Sequence, residues 1–178
     1  AGSVATTGTN NTFIGAAAGS TVTSGGGNVI IGGDTSGGGY NPVNSPTIQN
    51  DVVVMSSNAV TNAYIRVAWT VTSDARDKIV QGDVPLGLEF VEQLEPKAYH
   101  MKKERDEDTP HGRLRYGFLA QDVLALEGEN NVIIDNDDPD HLRYIGESLV
   151  PVLVNAIKEL SAKVDTLQTE LNTLKANG

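Results

Sequence analysis

The sequence has no cysteine and few aromatic residues: one tryptophan, three phenylalanines and five tyrosines in 178 residues. Without cysteine, the chain can form neither a disulfide scaffold nor a thiolate metal site. Any stability beyond that of a small core is therefore expected to come from association with other copies of the chain. No apolar run approaches the roughly 20 residues that cross a bilayer, so no membrane insertion is expected.

Basic residues are also scarce. The chain has 13 lysines and arginines against 23 aspartates and glutamates, giving a formal net charge of −10. Such an acidic surface disfavours binding to nucleic acid or to an anionic membrane. The three histidines, His100, His111 and His141, are scattered without the spacing of a metal site. We therefore expect no metal and no cofactor.

Composition divides the chain into two parts. Residues 1–72 contain 12 of the 19 glycines and only three charged residues, whereas residues 73–178 contain the other 33 charged residues. The sequence therefore predicts two domains, a β-rich stalk over 1–72 and a small α+β domain over 73–178, and an α+β fold class overall.

A loose repeat marks the glycine-rich segment. The motif of residues 11–15, Asn-Thr-Phe-Ile-Gly, recurs 17 residues later over 28–32 as Asn-Val-Ile-Ile-Gly. Short apolar strands between glycine-rich turns are typical of stacked β coils, in which each coil needs a neighbour to bury its apolar face. A flexible Gly/Ser linker is the alternative, but a linker has no reason to repeat this motif. One copy of the segment is expected to have hardly any core of its own.

Hydrophobic patterns predict the remaining elements. Strands are predicted over 52–55 and 64–71, the second by strict alternation of Ile65, Val67, Trp69 and Val71. Further strands are predicted over 96–101, 115–120 and 132–134, and short helices over 75–81, 86–93 and 120–126. The charged segment 102–110 is expected to be a solvated turn. The acidic run 135–140 invites a calcium site, but it lacks the glycine and glutamate of an EF-hand loop and is expected to be a turn.

The last segment carries an unbroken heptad pattern that predicts a coiled coil over about 147–175. A lone helix packed on its own domain is the alternative. β-branched residues at position a favour two strands, whereas Leu149, Val154 and Ala156 widen the apolar stripe and favour a three-stranded bundle or packing against the preceding domain. Glu170 and Lys175 suit an ion pair between parallel chains. We call the a and d positions the seam: Val150, Leu153, Ile157, Leu160, Val164, Leu167, Leu171 and Leu174.

At the border between the two parts stands the hexapeptide Ser73-Asp74-Ala75-Arg76-Asp77-Lys78. A serine followed five residues later by a lysine raises the possibility that Ser73 attacks the preceding Thr72–Ser73 bond, with a neutral Lys78 as general base. Asp74 is expected to cap the helix that follows, whose free N–H groups could stabilise the oxyanion. Alternatively, Asp74 forms an i, i+4 ion pair that keeps Lys78 protonated.

Residues 69–174 resemble the C-terminal intramolecular chaperone domain, or peptidase S74 domain, of phage tailspikes and tail fibres such as the endosialidase tailspikes, also found in myelin regulatory factor. Trp69 and four motifs in order carry the resemblance, at 73–79, 94–99, 116–123 and 144–160. The segment 1–40 separately looks like the stalk repeats of fibres and trimeric adhesins.

The resemblance implies a homotrimer in which the C-terminal domain aligns three chains, promotes folding of the upstream β structure, and is released by autoproteolysis between Thr72 and Ser73. Ser73 is then the nucleophile and Lys78 the general base, with Asp74 and Arg76 in support. The expected location is a virion tail fibre or spike assembled in the host cytoplasm. Two alternatives remain open: a permanent trimeric tip that never cuts, and a tip whose loops 102–112 or 135–141 bind a host glycan or receptor.

Overall fold

A computed structural model describes residues 2–32, 47–55 and 59–177. The chain forms two compact units, one of Ala1–Ala68 with Tyr99–Arg115 and one of Trp69–Ala98 with Tyr116–Gly178. Both α-helices and β-strands are present, and a long helix ends the chain, in agreement with the predicted α+β class. The division into 1–72 and 73–178 is one of composition and stays a prediction.

In the first unit, three short strands form a parallel sheet, β1 (Thr12–Ile14), β2 (Val29–Ile31) and β3 (Val53–Met55). The predicted repeat stacks in register, because Phe13 pairs with Ile30, and Ile30 in turn pairs with Val54. The middle residue of each strand faces inward. The outer residues of the three strands form outward columns.

A core of four buried residues exists in the single chain, slightly more than the expectation that one copy has hardly any. Its buried residues are Ala18, Val22, Ile30 and Val54, with Phe13 packed against them. The reason is the third coil. Its strand β3 follows β2 by 24 residues rather than 17 and covers the second coil with Val54.

Asparagine side chains connect the coils. Asn28 is completely buried, its Oδ1 accepts a hydrogen bond from the backbone N–H of Val52, and its Nδ2 donates to the Gln49 carbonyl. Asn11 makes the equivalent bonds one coil earlier, to the Asn28 N–H and the Gly25 carbonyl. Since each side chain pairs one donor and one acceptor of the next coil, the buried polar backbone of the turns is satisfied.

Two strands, β4 (Lys97–Lys102) and β5 (Pro110–Gly117), pair in a separate sheet joined by residues 103–109. The predicted strand at 96–101 is therefore confirmed, and the predicted strand at 115–120 is displaced toward the N-terminus. Lys102 and Asp108 form an ion pair across the connection at 2.5 Å. The charged segment is thus the solvated end of a hairpin, as predicted.

The second unit is built around helices α1 (Leu88–Gln93), α2 (Ala120–Glu127) and α3 (Gly146–Ala176), with the short antiparallel strands β6 (Ile134–Asp135) and β7 (Arg143–Tyr144). Glu127 is the last residue of α2. Its carboxylate accepts hydrogen bonds from three consecutive backbone N–H groups, those of residues 132–134. The core of the unit contains Phe90, Val123, Ile133, Ile134, Leu149 and Val152.

Helix α3 has two apolar faces with different environments. Leu149, Val152 and Ala156 are buried in the second unit, so two of the three residues that widen the apolar stripe pack on the chain's own domain, whereas the third, Val154, is 44% exposed. Glu159 and Asn155 extend this contact, because the Glu159 carboxylate accepts from the Leu88 N–H and Asn155 donates to the carbonyls of Val84 and Leu86. The seam lies on another face, and all eight of its side chains are between 38% and 71% exposed.

Two predicted elements are wrong. Residues 64–71 form no strand, and the alternating side chains Ile65, Val67, Trp69 and Val71 are all exposed. An isolated strand is unstable without a neighbour to satisfy its backbone, and the described residues supply none. The helix predicted over 75–81 is only a 3-10 turn over Ala75–Asp77. Its continuation contains β-branched Ile79 and Val80, both more than 80% exposed, which neither favour a helix nor pack against one.

Candidate active site

The 3-10 turn shapes the segment that follows the Thr72–Ser73 bond. Asp74 has extended backbone angles and caps the turn, because its Oδ1 accepts a hydrogen bond from the Arg76 N–H at 2.9 Å. The Asp77 N–H donates to the Asp74 carbonyl, and the Lys78 N–H donates to the Ala75 carbonyl. The predicted role of Asp74 as an N-cap is thus confirmed, on a shorter element than expected.

Ser73 and Lys78 are in direct contact. The Lys78 ammonium nitrogen lies 2.5 Å from Ser73 Oγ and donates a hydrogen bond to it. The short turn explains this contact. The backbone of Lys78 is already extended, so the lysine side chain can turn back toward Ser73. In a helix over 75–81 the same residue would sit within the regular turn and point along the helix surface.

Asp74 pairs with Arg76 and not with Lys78. Two hydrogen bonds join the carboxylate and the guanidinium, Oδ2 to Nη2 at 2.6 Å and Oδ1 to Nε at 3.0 Å. These bonds from Arg76 hold the pKa of Asp74 below its ordinary value. The alternative in which Asp74 forms an ion pair with Lys78 is therefore wrong. The Asp74 carboxylate binds Arg76, and the Lys78 side chain binds Ser73.

In this contact the lysine is the hydrogen-bond donor. Ser73 and Lys78 are both exposed in the single chain, and Lys78 Nζ donates to Ser73 Oγ. As a donor, Lys78 orients the Ser73 hydroxyl but cannot remove its proton. A general base in this position would need the lysine to be desolvated and neutral.

The proposed oxyanion donors are partly occupied. The Arg76 N–H, one of the free groups expected at the start of the turn, is taken by the Asp74 side chain. Donors for a negatively charged oxygen on Thr72 must therefore come from elsewhere or from a movement of Asp74. Residues 70–74 have no regular structure and are exposed, so the Thr72–Ser73 bond lies in an accessible stretch.

Among the described residues, the histidines and the acidic run 135–140 form no second candidate site. In the described ranges no group of three or more histidines, aspartates or glutamates could hold a metal ion. The acidic run is a turn, in which Asp138 accepts a hydrogen bond from His141 that lowers the pKa of Asp138. Among the helices that the structure describes, none is long and apolar enough to span a membrane.

The seam and the Ser73–Lys78 pair could be read from the sequence, whereas several polar contacts could not. Glu127 and Glu159 bond to backbone N–H groups, and His111 and Arg115 bond to the backbone carbonyls of Ala59 and Thr61. Backbone partners have no sequence signature. Only the structure identifies them.

Comparison with known proteins finds one matching segment, which begins at the Ser73 of the Ser73–Lys78 contact. The family model described as chaperone of endosialidase matches residues 73–133, about a third of the chain, and the match begins at Ser73. It covers the 3-10 turn, α1, β4, β5 and α2, but neither the stalk coils nor α3. No curated protein and no solved structure shows significant similarity to the chain.

Proposed function

We propose, from the premise that residues 73–133 belong to the chaperone-of-endosialidase family, that this chain trimerises through α3, assists the folding of its upstream stalk and then cuts itself before Ser73. The observation that carries the proposal is the 2.5 Å contact between Lys78 Nζ and Ser73 Oγ, at the residue where the family match begins. The resemblance to phage proteins makes a tail fibre or tailspike the proposed setting.

Association through the seam is supported by its exposure. Full burial of a leucine or isoleucine contributes about 1.5–3 kcal/mol, and the eight seam residues are about half exposed. Covering them in a bundle would contribute roughly 6–12 kcal/mol per chain. That amount is comparable with the cost of association, about 4–15 kcal/mol, so assembly is favourable when several chains contribute. Leu149 and Ala156 are already buried in the second unit and would not contribute to the bundle.

The stalk offers a second surface for the same assembly. Ile14, Ile31 and Met55 occupy equivalent positions of the three parallel strands and face outward in one column. Each is more than a third exposed, which leaves a continuous apolar strip on a unit that has only a small core. Three copies held together by α3 would present three such strips to one another at high local concentration.

The proposed chemistry uses these two side chains. Ser73 Oγ adds to the carbonyl carbon of Thr72 while neutral Lys78 takes the hydroxyl proton. The C–N bond then breaks, the Ser73 nitrogen leaves as an amine with the proton returned by Lys78, and the Thr72 acyl group becomes an ester on Oγ. Water hydrolyses the ester, which yields the Thr72 carboxylate and a new N-terminus at Ser73.

Assembly would supply the desolvation that Lys78 needs to act as a general base. In the single chain Lys78 is exposed and donates to Ser73, which is the resting arrangement. Packing of copies around the exposed segment 64–80 would exclude water from the lysine and favour its neutral form. Cutting would then take place only after three chains have come into register.

Mass spectrometry of the expressed chain tests this function. We expect a fragment that begins at Ser73, abolished in Ser73→Ala and abolished or strongly slowed in Lys78→Ala. Ser24→Ala and Lys103→Ala are the matched controls and should be cut normally. An intact species of 18.8 kDa in assembled wild-type protein would instead support the permanent, uncut tip.

A further inference from the structure

Strand β5 contacts a segment that lies on the far side of the Thr72–Ser73 bond. His111 Nε2 lies 3.2 Å from the Ala59 carbonyl oxygen, and Arg115 Nη2 donates to the Thr61 carbonyl oxygen at 3.1 Å. Between them, Gly112 has a positive φ of 77°, and a Cβ added there would touch the Thr61 side chain at 3.4 Å. We call these contacts between β5 and residues 59–61 the clasp.

The clasp bridges the two products of the proposed cut. Ala59 and Thr61 belong to the upstream fragment, whereas His111, Gly112 and Arg115 belong to the downstream fragment. The compact unit that contains the stalk coils is accordingly made from both sides of the bond, Ala1–Ala68 and Tyr99–Arg115. Breaking the Thr72–Ser73 bond removes none of the hydrogen bonds of the clasp.

We propose that the clasp is a docking surface on the chaperone segment for the upstream product, and that it holds the two products together after the cut. Cleavage and release are then separate events, and the chaperone segment leaves only when the clasp opens. This inference rests on the proposed function for the natural origin of the cut, but the clasp itself does not depend on how the bond is broken.

The chemistry of the clasp fits a reversible contact. Both acceptors are backbone carbonyls, and the side chains of His111 and Arg115 keep substantial solvent contact, so one clasp is weak. An assembly of three chains carries three clasps, and the product fragments remain close enough to rebind before they diffuse apart. Retention is therefore expected of the trimer even though each contact is small.

A cut that does not need the Ser73 nucleophile tests the clasp separately from self-cleavage. The full chain would carry Ser73→Ala and an inserted recognition sequence for a site-specific protease between residues 72 and 73, in the exposed irregular stretch. After proteolysis, the fragments are separated by native size-exclusion chromatography. We expect fragments 1–72 and 73–178 to elute together, and to separate in the double variant His111→Ala/Arg115→Ala.

Arg113→Ala, on the same strand between the two clasp side chains, is the matched control and should leave the fragments together. Thermal unfolding of each uncut variant checks that the substitutions leave the fold intact. Separation of the fragments in the parent protein overturns the proposal, and so does co-elution in the double variant, since other contacts would then hold the products. Neither result bears on whether Ser73 cuts the natural chain.

Discussion

The side-chain oxygen of Asn11 accepts a hydrogen bond from the backbone N–H of Asn28 at 2.9 Å, and Asn28 repeats the bond with Val52 in the next coil. The two asparagines therefore hold three parallel coils in register. This arrangement explains why asparagine precedes the apolar residues in both copies of the repeat. A hydrophobic residue could fill the space but could not pair with the turns.

Asn28→Ala should destabilise the stalk. The substitution leaves the Gln49 carbonyl and the Val52 N–H without their partners at part-buried positions, which costs about 1–3 kcal/mol for the two groups together. Urea unfolding of the full chain with the Ser73→Ala background measures the loss. Asn62→Ala, at an exposed asparagine, should change the free energy of unfolding by less than about 0.5 kcal/mol. Equal effects of the two substitutions would contradict the role of Asn28.

Glu127→Ala should destabilise the second unit by about 1–3 kcal/mol, because three consecutive N–H groups of residues 132–134 lose a charged acceptor. Glu127→Gln keeps one side-chain oxygen, which already serves Val132 and Ile133, so it should retain part of the stability. The measurement is chemical unfolding followed by circular dichroism. Glu129→Ala, two residues away and exposed, is the control; a loss as large as that of Glu127→Ala would argue against the carboxylate bonds.

Leu160→Asn should weaken the assembly without unfolding the second unit. Leu160 is half exposed in the single chain and would be buried in the proposed bundle, where a polar amide costs stability. Sedimentation equilibrium should show dissociation at concentrations where the parent is trimeric. Ala162→Asn introduces the same residue at an outward heptad position and should leave the trimer intact. If both variants remain trimeric, the seam is not the interface.

Asp74→Ala should slow the cut several-fold, since the 3-10 turn that places Lys78 beside Ser73 loses its cap. Asp74→Asn separates the cap from the charge, because asparagine can accept from the Arg76 N–H but makes no ion pair. We expect Asp74→Asn to be cut at close to the normal rate. The appearance of the fragment beginning at Ser73 is followed over time. An equally slow Asp74→Asn would assign the effect to the Arg76 ion pair instead.

Low pH should protonate the Asp74 carboxylate and weaken the 3-10 turn. Hydrogen bonds from Arg76 lower the pKa of Asp74 in the folded chain, so its contribution to the turn is complete above the ordinary value of 3.8 and is lost as the pH falls through the lowered value. The pKa of Asp74 can be followed by NMR titration in Ser73→Ala protein. Arg76→Ala should raise that pKa toward its ordinary value, and an unchanged titration would exclude the ion pair in solution.

The sequence predicted those elements whose signal is carried by side chains in a regular pattern. The repeated Asn-x-apolar-Ile-Gly motif predicted the pairing of β1 with β2, and the heptads predicted a helix that α3 fits closely. The third coil could not be recognised as a repeat. Its spacing is longer, and Val52 stands where the first two coils have asparagine.

The failures have a common physical cause. Alternation over 64–71 indicates which side chains share a face but not whether a neighbouring strand exists, and an N-cap at Asp74 indicates where a helix begins but not how far it runs. The Ser73–Lys78 contact depends on that second point. The early end of the turn brings the two side chains together, and a pattern of residues five apart could only raise the possibility.

If assembly switches on the cut, the rate of cutting must depend on protein concentration. Full-length chain synthesised in vitro would be diluted over a range from nanomolar to micromolar, and the fragment beginning at Ser73 would be measured over time beside the fraction of trimer. We predict that cutting follows the trimer fraction and is negligible where the chain is monomeric. Cutting at the same rate in monomer and trimer would contradict the account.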